Sequence, residues 1–151
     1  MTLQEKHLQI KNRKASRIAA IVILFAAFLG ALGFLSNANS VMCTIRLILT
    51  IMCLIALLFF YNKNKNSTRF LYYGFTCIFI PYVMIISTSI NPYMYALMFP
   101  IIYFVVLYMN LRFTSIVSIL CFICNIIFSI RLASTSPNEA FSNILFSFFL
   151  L

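Results

Sequence analysis

Long apolar runs separated by short polar stretches dominate the chain. The runs cover residues 18–35, 41–61, 70–86, 93–109 and 113–130, and a sixth covers 140–151. Each of the first five holds 17 to 21 residues. At about 1.5 Å per residue these lengths match a hydrocarbon core of about 30 Å, with the fourth somewhat short. Apolar positions are continuous within each run, without the alternation of a barrel strand, and backbone groups in lipid must pair within their own segment. The pattern predicts an all-α, polytopic transmembrane helix bundle with five full spans plus a truncated sixth. The sixth run offers about 18 Å of helix, so the expectation is a fragment whose parent completes that helix and emerges in the cytoplasm.

Composition agrees. The 151 residues are 64% hydrophobic and 9% charged, with a mean hydropathy of +1.04. A soluble domain is roughly 45–50% apolar and about 25% charged. Lipid therefore solvates most of this chain, and the bilayer is its first partner.

The formal net charge of +9 would point to nucleic acid in a soluble protein. Here the position of the charges gives another reason. Lys6, Lys11, Arg13, Lys14 and Arg17 occupy a basic tail at 1–17. Lys63, Lys65 and Arg69 lie between the second and third runs, and Arg112 between the fourth and fifth. Only Arg46 and Arg131 fall on the opposite side of the predicted topology. This positive-inside asymmetry predicts a multi-pass cell-membrane protein with a cytoplasmic N-terminus and needs no nucleic acid. The basic tail, apolar run and Ser36-x-Ala38 also resemble a signal peptide, but the run exceeds the usual 7–15 residues and further spans follow. An uncleaved first span is the reading adopted.

Little catalytic chemistry is on offer. Cys43, Cys53, Cys77, Cys121 and Cys124 all lie inside apolar runs, so no loop disulfide is expected. Cys121 and Cys124 form a C-x-x-C, but His7 is remote and no second cysteine pair exists, so they read as small packing residues, with no metal. No intramembrane acid, glycine-rich phosphate loop or His/acid pair is present. The expectation is a non-enzyme without cofactors.

The polar positions near membrane depth are more informative. "SINPYMYALMFP" (Ser89 to Pro100) interrupts two apolar runs. Asn91-Pro92 predicts a tight outer turn, with Pro92 in the first turn of the fourth helix. Pro81 in the third helix and Pro100 in the fourth are expected to kink their helices. Two kinked helices joined there would splay open an outward-facing pocket. Ser87, Thr88, Ser89, Asn91, Tyr93, Tyr95 and Tyr103 would line or rim it. The simpler alternative is an aromatic belt with ordinary membrane prolines. Arg46 either snorkels to the outer headgroups or faces an anionic ligand or helix terminus. The candidate ligand-binding set is Arg46, Ser87, Thr88, Ser89, Asn91, Tyr95 and Tyr103. Asn125 reads as interhelical glue, and Arg112 and Arg131 as anchors bracketing the fifth helix. No small-xxx-small face marks an oligomer contact, and the Gly30 and Gly33 pair is only a weak pointer to close helix approach.

The stretch "STSINPYMYALMFPIIYFVVLYMNLRFTSIVSILCFICNIIF" (Ser87 to Phe128) resembles the N-terminal six-helix membrane sensor region of Firmicute methyl-accepting chemotaxis proteins. Similar regions precede diguanylate cyclase and histidine kinase domains. The shared features are the Ser/Thr-rich outer turn ending in proline, the aromatic-proline pair Phe99-Pro100, a short inner loop, and an asparagine in the fifth helix. The resemblance spans about residues 10–151 and implies a homo-oligomer through membrane helices. It also implies signalling partners reached only through a C-terminal part, since no HAMP-like linker, coiled coil or methylation pair is present. The leading expectation is therefore the input region of a bacterial signal-transduction receptor, and the resemblance implies a chemotactic one. The alternative is a small multi-pass transport or membrane-accessory protein.

Overall fold

The computed structural model describes residues 3–35, 40–88 and 97–134, together with Asn138, Ala140, Phe141 and Ile144. Five α-helices appear and no strand occurs among the described residues: α1 (Leu3–Leu35), α2 (Ser40–Asn64), α3 (Arg69–Thr88), α4 (Met98–Val106) and α5 (Leu111–Ala133). The chain forms two compact units, Met1–Tyr82 and Val83–Leu151. The boundary falls inside α3.

Among the described residues three helices are long and apolar enough to cross a membrane: Val41–Asn64, Arg69–Ser87 and Leu111–Ala133. This corrects the expectation of five full spans plus a sixth. The run 18–35 is helical throughout as the second half of α1, but several of its side chains lie outside the description. The fourth run is the clearest departure. Its helix has 9 residues, about 13.5 Å of rise, less than half of a hydrocarbon core. Most of the predicted sixth segment, and the turn at 89–96, lie outside the described residues.

The first unit is built on an α1–α2 pair. Asn12, Ala15, Ser16, Ala19, Ile23 and Ala26 are buried at i, i+3, i+4, i+7 spacing, so one stripe of α1 is enclosed. Most of these side chains are small. On α2 the enclosed positions are Cys43, Thr50, Cys53 and Leu57. Small side chains let two helix backbones approach closely, which substitutes for the hydrophobic drive that lipid removes. The other faces of both helices present large apolar side chains such as Ile21, Leu24, Ile48 and Ile55, as a lipid-solvated helix should.

The basic tail is the first half of α1, helical from Leu3, with Glu5 in the first turn where the helix macrodipole favours an acid. What ties it down is Asn12, which is fully buried. Its side-chain amide donates to the carbonyls of Asn64 (3.3 Å), Lys65 (2.9 Å) and Ser67 (3.0 Å). These include the last residue of α2, where helical carbonyls have no partner within the helix. The connection to α3 is closed locally by Ser67 N–H donating to the Asn64 carbonyl at 3.0 Å and by the Ser67 hydroxyl accepting from Arg69 N–H at 3.2 Å. Stacked Phe60 and Tyr73 (centroids 4.4 Å apart) and edge-on Tyr61 and Phe70 (5.7 Å) then join the end of α2 to the start of α3.

In the second unit α4 and α5 form a hairpin. The α4 chain ends in overlapping turns, Tyr108 N–H to the Val105 carbonyl (3.1 Å) and Met109 N–H to the Val106 carbonyl (2.9 Å). Met109 follows at φ 52, a left-handed position usually taken by glycine. Asn110 then caps α5, its side-chain oxygen accepting from Phe113 N–H at 3.2 Å. Asn110 thus starts α5 at the polar break expected there.

Pro81 lies inside α3, as expected, and is buried. Pro100 does not lie in the interior of α4 as described. The helix starts at Met98, so Pro100 sits in the first turn, where its missing N–H would have had no helical partner.

Two outcomes follow. Replacing Asn12 with alanine removes its bonds to the Asn64, Lys65 and Ser67 carbonyls, two of which keep a main-chain donor, and is expected to lower stability by roughly 1–2 kcal/mol. Asn12→Asp, which at neutral pH cannot donate, should be worse; denaturation in mixed micelles measures both. At Met109, 83% exposed, glycine relieves the left-handed strain of about 1–2 kcal/mol at the expense of about 0.5–1 in chain entropy. A net gain of about 0.5–1 kcal/mol in the same assay is expected for Met109→Gly.

Candidate functional site

The second unit contains an apolar cleft of about 210 Å³. Val83, Ile86 and Ser87 from the end of α3 form one wall at i, i+3, i+4 spacing. Cys124, Ile127, Phe128 and Arg131 from α5 form the other at i, i+3, i+4, i+7. Each helix therefore presents one continuous face to it. Arg131 is the cleft's one charged group, and it sits in the last turn of α5. Its guanidinium donates from Nη1 to the main-chain carbonyl of Ser87, in the last turn of α3. A cation suits this place twice over, since both helices end there and their last carbonyls carry partial negative charge. The contact uses one of five guanidinium N–H groups, which leaves the fork able to receive an oxyanion.

Another face of α5 is packed, and of its residues only Phe128 also lines the cleft. Val117, Cys121, Asn125, Phe128 and Leu132 are buried, and on α4 so are Met98, Ile101, Phe104 and Val105. The Asn125 amide donates to the Met98 sulfur at 2.8 Å. It is a polar contact between helices, the role the sequence suggested for it. Ser129 is fully buried beside Phe128, and its hydroxyl has no partner among the described residues.

The sequence-derived ligand set is distributed as follows. Ser87 lines the cleft, with its hydroxyl donating to the Met84 carbonyl at 3.1 Å. Tyr103 is on α4 and 60% exposed. Thr88 ends α3, but its side chain, like Ser89, Asn91, Tyr93 and Tyr95, lies outside the described residues. Arg46 belongs to the first unit, on α2. Its Nε is buried without a partner among the described residues, and its carbonyl accepts from the Thr50 hydroxyl at 2.6 Å. The cleft thus joins Ser87 to Arg131, a residue that sequence reasoning had placed as an anchor. The available signal was the helical spacing of Cys124, Ile127, Phe128 and Arg131, which puts a cation on an apolar face.

A typical small-molecule pocket measures about 300–1,000 Å³, so this cleft suits a narrow apolar chain better than a bulky ring system. Among the described residues no cluster of His, Cys, Asp or Glu is placed to hold a metal. The chain matches no protein-family model, no curated protein and no solved structure.

Removing the buried Ser129 hydroxyl tests how well the packed face of α5 satisfies its polar groups. An unpaired buried hydroxyl costs roughly 1–3 kcal/mol, so Ser129→Ala should raise the unfolding free energy by about 1 kcal/mol. Unchanged or reduced stability would mean that the hydroxyl has a partner.

Proposed function

We propose that this chain is the membrane-embedded input region of a signal-transduction receptor, with a cytoplasmic N-terminus, and that its stimulus is an amphipathic anion held in the α3–α5 cleft. The observation that carries this reading is the Arg131 guanidinium on the Ser87 carbonyl at the mouth of an apolar cleft. An alkyl chain lies along Val83, Ile86 and Ile127, and its carboxylate approaches Arg131. A charge-assisted, bidentate pair is stronger than the bond to a neutral carbonyl. The ligand therefore draws Arg131 away from Ser87, and the last turn of α3 loses its cap. α3 and α5 then have two packings, one with the helix end capped by the protein and one with the cation engaged by ligand. A ligand that binds one packing better shifts the population toward it. Under the positive-inside topology this end of α3 faces outward, and the same helix runs back to Arg69 on the cytoplasmic side.

Decanoate, a single-chain carboxylate, is the probe. Cys124 lines the cleft and is half-buried, whereas the other four cysteines are buried. Decanoate is expected to slow maleimide labelling of Cys124 in the full chain, read by peptide mass. Decanol should protect far less, and Arg131→Gln should abolish the difference. Equal protection by the alcohol, or protection surviving Arg131→Gln, would show that the cleft takes chains without reading charge.

A further inference from the structure

The first unit carries a second, chemically different cleft, of about 280 Å³, lined by Lys6, Gln9, Ile10, Arg13 and Tyr61. The four α1 residues fall at i, i+3, i+4, i+7, one face of the helix. By helical rotation that face lies about 140° around the axis from the packed stripe at Asn12, Ala15 and Ala19. It is therefore open while α1 is held in place by its packed stripe. Tyr61 closes the cleft from α2, and its ring is held edge-on against Phe70 at 5.7 Å.

We propose that this cleft binds the headgroup of an anionic phospholipid of the leaflet at that end of the unit. Two cations converge on it, Lys6 and Arg13, with an amide from Gln9 and a phenol from Tyr61. This donor set suits a phosphate and its polar substituent: the guanidinium receives oxyanions in a fork, and the ammonium adds a mobile point charge. The depth argues for a lipid. Arg13 lies five residues before Ile18, where the apolar half of α1 begins, which is about 7.5 Å along a helix. The headgroup layer is about 5–7 Å thick on each side of the core. Ile10 and the Tyr61 ring supply an apolar wall at the same level, and Tyr61 ends the apolar run of α2. Glu5, exposed in the same first turn, is the single acid of the described helices and lies outside the lining. Lys63 and Lys65 are exposed nearby in sequence to Tyr61 but do not line the cleft. They attract the same leaflet without forming the site, which gives an internal control.

The test is native mass spectrometry of the delipidated full chain in detergent, with phosphatidylglycerol or phosphatidylcholine added back. One phosphatidylglycerol is expected to remain bound under conditions that strip phosphatidylcholine. Lys6→Gln with Arg13→Gln should weaken it about tenfold or more, while Lys63→Gln with Lys65→Gln changes it by less than about threefold. Circular dichroism confirms that the helices persist. If the double variant does not fold, Arg13→Lys, which keeps the charge and loses the fork, must still weaken binding. Equal loss in the Lys63/Lys65 pair would reduce the site to diffuse basic charge. Equal retention of phosphatidylcholine, or displacement by millimolar inorganic phosphate, would overturn the lipid assignment.

Discussion

A membrane helix that turns back at the bilayer surface leaves its last carbonyls without partners in the helix, and in the first unit the buried amide of Asn12 donates to the last of them, on Asn64, and to the Lys65 and Ser67 carbonyls of the turn that follows. An amide has two N–H groups and meets three carbonyls, so one hydrogen is shared. That arrangement requires α1, the end of α2 and the turn at 65–67 to sit at hydrogen-bond distance together. Much else follows from it. The stretch before Ile18 becomes a helix fixed against α2, and Lys6, Gln9 and Arg13 gain a defined face. The small residues Ala15, Ser16 and Ala19 continue the same contact inward, where close backbone approach is the available source of affinity between helices.

The second unit solves the same problem with different chemistry. At the end of α3 the partnerless carbonyl of Ser87 is met by a guanidinium from α5. An amide is neutral, and anions do not compete for it strongly; a guanidinium is charged, and they do. Burial differs in step, since Asn12 is fully enclosed and Arg131 is exposed. A buried neutral donor makes a permanent lock. An exposed cationic donor is, under the proposed reading, a latch that a ligand can open. The two helix ends therefore differ in what they are able to do, although both satisfy the same backbone requirement.

The sequence made the helical class and most helix limits legible. α2, α3 and α5 lie within a few residues of the apolar runs, because charged and amide residues such as Asn64, Arg69 and Asn110 mark where lipid solvation stops. The fourth run failed as a span for a definite reason. Apolar length says that a segment tolerates lipid, not where its helix begins, and α4 begins at Met98. The same error put Pro100 in a helix interior when it occupies a first turn. Asn12 was invisible because one asparagine among Lys11, Arg13 and Lys14 looks like any other tail residue. The cleft was half legible. Ser87 was singled out for its polar turn, but the direction in which Arg131 reaches is a tertiary fact with no local signature.

The excess of basic charge takes on a second meaning in this arrangement. Positive-inside bias by itself requires only that lysines and arginines lie on one side, and scattered charges satisfy it. Recognition of a headgroup requires convergence: donors of different geometry on one face, at one depth, beside an apolar wall. Lys63 and Lys65 meet the first condition, whereas Lys6 and Arg13, with Gln9 and Tyr61, meet both. What separates them is the rigidity of α1 rather than the count of charges. A helix free to fray would let Lys6 and Arg13 solvate independently, each held to the leaflet by weak, screened attraction. The Asn12 amide removes that freedom one residue away from Arg13, so an interaction at a backbone turn also sets the geometry of the charged face beside it.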